Sequence, residues 1–142
     1  MLNPPNPNRT DERLGEIYQK SLNIMTNIVI LVGRIGNDPE VRSTQSGSRV
    51  ATISVATSSP KRENGTVAKD ENGYTVQDTE WHRVTLFGKQ AEFAEKYLRK
   101  GALVTVRGSL HNRSWTDANG EKRYSTEVRC DQIDALARPP ER

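Results

Sequence analysis

The chain has 142 residues, with 21 Lys or Arg against 18 Asp or Glu, for a formal net charge of +3. That is the length of one ordinary domain, and its longest apolar run, Ile28 to Val32, is far short of the roughly 18 residues of a membrane-spanning helix. A single cysteine, Cys130, excludes an intrachain disulfide framework and a cysteine-rich zinc site, and two histidines, His82 and His111, leave little material for a histidine metal cluster.

Residues 1–24 read as a flexible leader or short helical extension. Met1 to Asn8 holds three prolines and three asparagines, a composition that favours extended chain. Asp11 to Lys20 places Leu14, Ile17 and Tyr18 at helical spacing, although Gly15 interrupts it. The segment lacks the apolar stretch of a secretory signal, and Asp11, Glu12 and Glu16 argue against a mitochondrial transit peptide. Met25 directly precedes the first strand and could serve as an internal start.

From Thr26 the pattern is β. Thr26 to Gly36 reads as a buried strand ending in a glycine-marked bend, with Pro39 to Thr44 as its continuation. Arg49 to Thr57 is a second strand, in which Ala51, Ile53 and Val55 alternate with Val50, Thr52 and Ser54. Ser58 to Asp78 reads as a long polar loop containing three turn signals. Thr79 to Phe87 is the third strand. Lys89 to Lys100 is a helix, with Arg99 and Lys100 at its C-terminal dipole and Gly101 as its cap. Ala102 to Trp115 and Arg123 to Leu136 are strands four and five, joined by the turn at Asp117–Gly120, and residues 137–142 are a polar stub. Five strands with one helix between the third and fourth predict an all-β, five-stranded Greek-key barrel of the OB type over residues 25–136.

Side chains alternate across a strand. One face of strand three carries Trp81, Arg83, Thr85 and Phe87, while the other carries His82, Val84 and Leu86. Strand four repeats the arrangement: Arg107, Ser109, His111, Arg113 and Trp115 share one parity, and Val104, Val106 and Leu110 share the other. The apolar sets fill a barrel. The remaining faces interleave aromatic rings with guanidinium groups, which is how single-stranded nucleic acid is held: bases stack on flat rings while cations follow the phosphates. Between Arg83 and Arg129, ten Lys or Arg stand against five Asp or Glu. His82 has inward parity and reads as a core or interface residue, and Cys130 shares the parity of Val128 and reads as packing. The residues indicate no catalytic site, no metal and no cofactor.

Five segments are similar, in order, to the bacterial and mitochondrial single-stranded DNA-binding protein family. They are Asn27-Ile-Val-Ile-Leu-Val-Gly-Arg-Ile-Gly-Asn-Asp-Pro-Glu-Val-Arg42, Val50-Ala-Thr-Ile-Ser-Val-Ala-Thr57, Thr79-Glu-Trp-His-Arg-Val-Thr-Leu-Phe-Gly-Lys89, Tyr97-Leu-Arg-Lys-Gly101 and Arg107-Gly-Ser-Leu-His-Asn-Arg-Ser-Trp-Thr-Asp117. The resemblance implies a non-enzymatic homotetramer that wraps single-stranded DNA without sequence preference in replication, repair and recombination. It implies stacking by Trp81, Phe87 and Trp115, phosphate contacts from Arg83, Lys89, Arg99, Lys100 and Arg113, and a subunit-interface position for His82. Arg34, Lys61, Arg62 and Arg107 complete the candidate DNA-contacting set.

The chain departs from the family at three points. A family tryptophan aligns with Lys61, so one stacking platform is exchanged for a cation. The loop after it is longer and contains Tyr74, a replacement aromatic. The sequence stops at Arg142 without the family's acidic tip, so partners recruited through that tip are not expected to carry over. A bacterial cytoplasmic, nucleoid-associated location is expected ahead of a mitochondrial one, and no membrane association. The alternative reading is an OB module for single-stranded RNA or for primosome assembly, because stacking faces do not sense the 2′-hydroxyl.

Overall fold

A computed structural model of the protein describes residues 25–140 together with residues 15–16. The rest of the expected leader and helix over 11–20, and residues 141–142 of the stub, lie outside the described residues. Residues 25–140 form eight strands and one helix: β1 (Val29–Ile35), β2 (Glu40–Ser43), β3 (Arg49–Pro60), β4 (Arg62–Glu63), β5 (Thr66–Val67), β6 (Gln77–Phe87), α1 (Lys89–Tyr97), β7 (Leu103–Thr116) and β8 (Lys122–Ala137).

Five of these strands close on themselves in the order β1, β7, β8, β6, β3 and back to β1. Antiparallel pairs make most of the ring, and β6 and β8 meet in parallel at Val84–Val128. The expected five-stranded OB barrel with its helix between the third and fourth barrel strands is therefore present. β2 is the continuation after the bend and pairs with β3. The seam between β1 and β3 requires Gly33, because a Cβ there would lie 2.1 Å from the Ala56 carbonyl oxygen. Only a residue without a side chain lets the two backbones approach so closely.

The interior is filled by the inward parity of each strand. Ile35, Ala51, Ile53, Val55, Val84, Leu86, Val104 and Val106 are buried, with Val128, Cys130 and Ile133 from β8. One residue separates Val128 from Cys130, but two separate Cys130 from Ile133. Cys130 faces Gly108 and Gln132 faces Arg107, so Asp131 is an extra, bulged residue that resets the alternation. The Cys130 thiol is pushed up to about 11, first by burial and then by Asp131, so it stays protonated and unreactive at neutral pH. The helix contributes Ala91 and Ala94 to the core, and Leu98, just past its end, adds to them.

Four expectations need correction. β1 is only half buried: Val29, Leu31 and Ile35 face the barrel, but Ile28, Ile30 and Val32 are exposed, because alternation turns them outward where the described residues offer no cover. Residues 58–78 are not a loop. β3 and β6 stay paired out to Pro60–Gln77, and beyond them β4 and β5 form a small hairpin around Asn64-Gly65, whose positive φ values of 53° and 80° suit a tight reversal. α1 ends at Tyr97 rather than Lys100. Leu98 adopts an extended conformation as it enters the core, and Gly101, with φ 94°, turns the chain into β7. Leu110 shares parity with Val104 and Val106 yet is half exposed, because β7 has by then passed the end of its ladder with β1 at Val29–Gly108.

Candidate nucleic-acid interface

Trp81 and Phe87 are the outward residues of β6, 62% and 48% exposed, while Val84 and Leu86 beside them are fully buried. Trp115, 46% exposed, lies near the end of the β7–β8 ribbon, paired in register with Arg123. Large rings left in water on strands with complete apolar inner faces are available to a ligand. Three Arg83-lined hollows follow one another on this face. One of about 310 Å³ is lined by Gly36, Asn37, Glu40, Thr52, Ser54, Trp81 and Arg83. Another of about 280 Å³ adds Val41 and Arg42. The third, about 330 Å³, is lined by Arg83, Arg113, Trp115 and Ser125. Arg83 therefore joins the two tryptophan sites into one track.

The Trp81 ring rests on Gly36: a Cβ there would come within 2.1 Å of the ring. Gly36 has no left-handed φ, so alanine is compatible with the backbone. Gly36→Ala is expected to leave the melting temperature nearly unchanged, since the exposed ring can swing away. It should still weaken oligonucleotide binding by up to ~1–3 kcal/mol, the value of one stacked base. Affinity equal to that of the parent would mean that the ring's resting pose is irrelevant to binding.

The ribbon tip beside Trp115 is held by Asp117. Its carboxylate accepts from the backbone N–H groups of Asn119 and Glu121 at 2.9 Å and from Arg123 Nε at 2.9 Å. The Arg123 bond, helped by those backbone donors, keeps its carboxyl below the ordinary aspartate range.

The remaining candidates are spread more widely. Arg34 donates to the Gly101 carbonyl at 2.9 Å and lines none of the three hollows. Arg99 folds back on the carbonyls of Glu95 and Leu98 at the end of α1, at 3.0 and 2.7 Å, and Lys100 follows it, its backbone N–H bound by Asp38. Lys89 opens α1, and Arg107 is exposed on β7 opposite Ile30. Lys61 pairs with Glu63 at 3.6 Å on the outer ribbon, next to exposed Arg62, and Tyr74 is exposed near the same end. His82 is half-buried, with Nε2 2.8 Å from Thr57 Oγ1 on the neighbouring strand.

Sequence reasoning passed over β8. This strand lies between β6 and β7, so its outward residues Arg123, Ser125, Glu127 and Arg129 occupy the middle of the face. Their alternation was visible in the sequence, but their placement between Arg83 and Arg113 depends on strand order. Glu127 is buried although it has outward parity, and Thr85 Oγ1 donates to it at 3.1 Å.

The profile of the Single-strand binding protein family matches residues 26–136. The chain belongs to this family. A curated single-stranded DNA-binding protein of Xylella fastidiosa is 46% identical over 110 residues, covering 78% of this chain. The match spans 63% of that relative's length. The solved structure "Plasmodium falciparum SSB complex with ssDNA" superposes with a TM-score of 0.66 at 31% identity, over 80% of this chain and 95% of that one. Family membership accords with the barrel and with its exposed aromatic and guanidinium face.

Proposed function

We propose that the protein binds single-stranded DNA without sequence preference, and protects and organises it during replication, repair and recombination. The observation that carries this reading is the track Trp81–Arg83–Arg113–Trp115, two exposed rings joined by guanidinium-lined hollows on the outside of a closed barrel. Rings accept any base, because every base has a π-face, and the arginines neutralise phosphates and release their counterions. The protein acts by binding and carries out no chemistry on the strand. Its place is the bacterial cytoplasm with the nucleoid, a reading supported by the bacterial relative.

Assembly as a homotetramer is part of the proposal. Ile28, Ile30 and Val32 form an outward apolar stripe 53–66% exposed, on a strand whose other face is committed to the barrel. A second copy covering that stripe would remove it from water, and one barrel presents only a short track while several are needed to wrap a long strand. His82 is assigned to an interface by family resemblance, and its half-buried position supports that assignment.

Solution mass measured with and without a long oligothymidine tests binding and assembly together. A multimeric mass that rises by one oligomer is expected, with log affinity falling against log salt by ~0.7 per phosphate neutralised. A matched ribo-oligonucleotide added as competitor should displace the DNA poorly. Equal competition would favour the RNA-binding module instead, and a salt-independent affinity would remove the electrostatic half of the mechanism.

A further inference from the structure

Among the described residues, Thr85 and Glu127 are the two polar side chains that are buried, and they are bonded to each other. Both have outward parity. Three arginines from three adjacent strands surround the Glu127 carboxylate. Arg83 Nε of β6 lies 3.9 Å from it, Arg113 Nη1 of β7 lies 3.9 Å away, and Arg129 Nε of β8 lies 3.5 Å away. Each arginine is about half exposed, while the carboxylate is 7% exposed.

Charge ratio sets this cluster apart from the other ion pairs. Three guanidinium groups share one carboxylate, which leaves two positive charges uncompensated. Arg123 is the opposite case, one guanidinium between Asp117 at 2.9 Å and Glu121 at 3.4 Å. Arg49–Glu95 and Lys61–Glu63 are balanced pairs. At 3.5–3.9 Å the three contacts are longer than direct hydrogen bonds, and each guanidinium keeps about half of its side chain in water. The arginines are gathered by Glu127 without being consumed by it. Arg83 and Arg129 approach through Nε, which leaves their paired Nη groups, the donors that grip a phosphate bidentately, uncommitted to the carboxylate.

We propose that Arg83, Arg113 and Arg129 form a phosphate subsite around Glu127, with Arg129 a phosphate-binding residue and Glu127 the positioning residue that gathers the cluster. Resting on the single-stranded DNA reading, the subsite takes the phosphodiester running between the base on Trp81 and the base on Trp115, since Arg83 lines both hollows and Arg113 lines the second.

The test compares full-length Arg129→Gln, Arg129→Lys, Glu127→Gln and Arg49→Gln by titration with oligothymidine over a range of sodium chloride concentrations. Thermal melting confirms that each variant is folded. Arg129→Gln is expected to lower the slope of log affinity against log salt by ~0.7, the contribution of one phosphate contact on a single strand. Arg129→Lys keeps the charge and should retain the slope. Glu127→Gln can still accept from Thr85 but no longer draws the three guanidiniums together, so it should lower the slope. Arg49→Gln, a cation already balanced by Glu95 and lining none of the three hollows, should leave it unchanged.

A parental slope in Arg129→Gln, in a protein that still binds oligothymidine, overturns the subsite while the DNA-binding reading stands. Equal losses in Arg129→Gln and Arg49→Gln overturn it as well, by showing a general charge effect. An unchanged slope in Glu127→Gln removes the role given to the carboxylate. Parental protein that binds no oligothymidine at any salt overturns the DNA-binding reading, and the subsite with it.

Discussion

Removing both indoles, in Trp81→Ala/Trp115→Ala, is expected to weaken oligothymidine binding by about 2–6 kcal/mol, from ~1–3 kcal/mol per stacked base. The two rings border separate hollows, so their losses should add approximately. Fold stability should change little, because both rings are about half exposed or more and neither belongs to the core. Melting without DNA and titration with DNA separate these quantities. In the parent protein the same two residues are the only tryptophans, so most indole emission should be quenched at saturation. A double variant that binds like the parent, or a parent that stays bright when saturated, would put the binding face elsewhere on the barrel.

Leu86→Ala should have the converse effect. Leu86 is fully buried on β6, next in sequence to half-exposed Phe87 and across the ladder from buried Ala51. Truncating a buried leucine costs about 2–5 kcal/mol, the lost transfer energy plus the cavity left behind. For a domain of this size that is a large part of the total stability. Denaturant unfolding should therefore show a much lower midpoint in Leu86→Ala. Phe87→Ala should instead leave the midpoint near the parent's and weaken oligonucleotide binding. If the two variants exchanged these effects, the strand would be turned by one residue and the site assignment on β6 would fail.

Family membership fits this division between an inner face that stabilises and an outer face that recognises. The barrel's own backbone ladders and apolar interior are complete without a ligand, so the outer residues are free to be chosen for binding. Gly36 is a small example: its missing side chain leaves room for the Trp81 ring.

Much of this was legible in the sequence. Alternation in Arg49–Thr57 and Thr79–Phe87 determined which residues are inside and which rings are outside, because period-two placement is a local property of extended chain. The helix after β6 was equally plain from the helical spacing of Ala91, Phe93, Ala94, Tyr97 and Leu98, although its end was not. Leu98 leaves the helix to reach the core, and that choice belongs to packing rather than to propensity. The residues 58–78 were misread because their Asn-Gly and Asp-containing turns look the same in a loop and in a paired ribbon; only the partner strand distinguishes them. Alternation also failed to determine the surroundings of a face. It turned Ile28, Ile30 and Val32 outward but could not say that no described residue covers them, and it placed Leu110 inward where the ladder with β1 had already ended. The arginine cluster shows the limit most clearly. Arg83, Arg113, Glu127 and Arg129 were each visible, but β8 lies between β6 and β7, and only that ring order brings three guanidiniums and one buried carboxylate from distant parts of the chain within 4 Å. Local pattern determines the face on which a side chain stands, whereas long-range pairing decides its neighbours, and the interaction between charges weakens with distance.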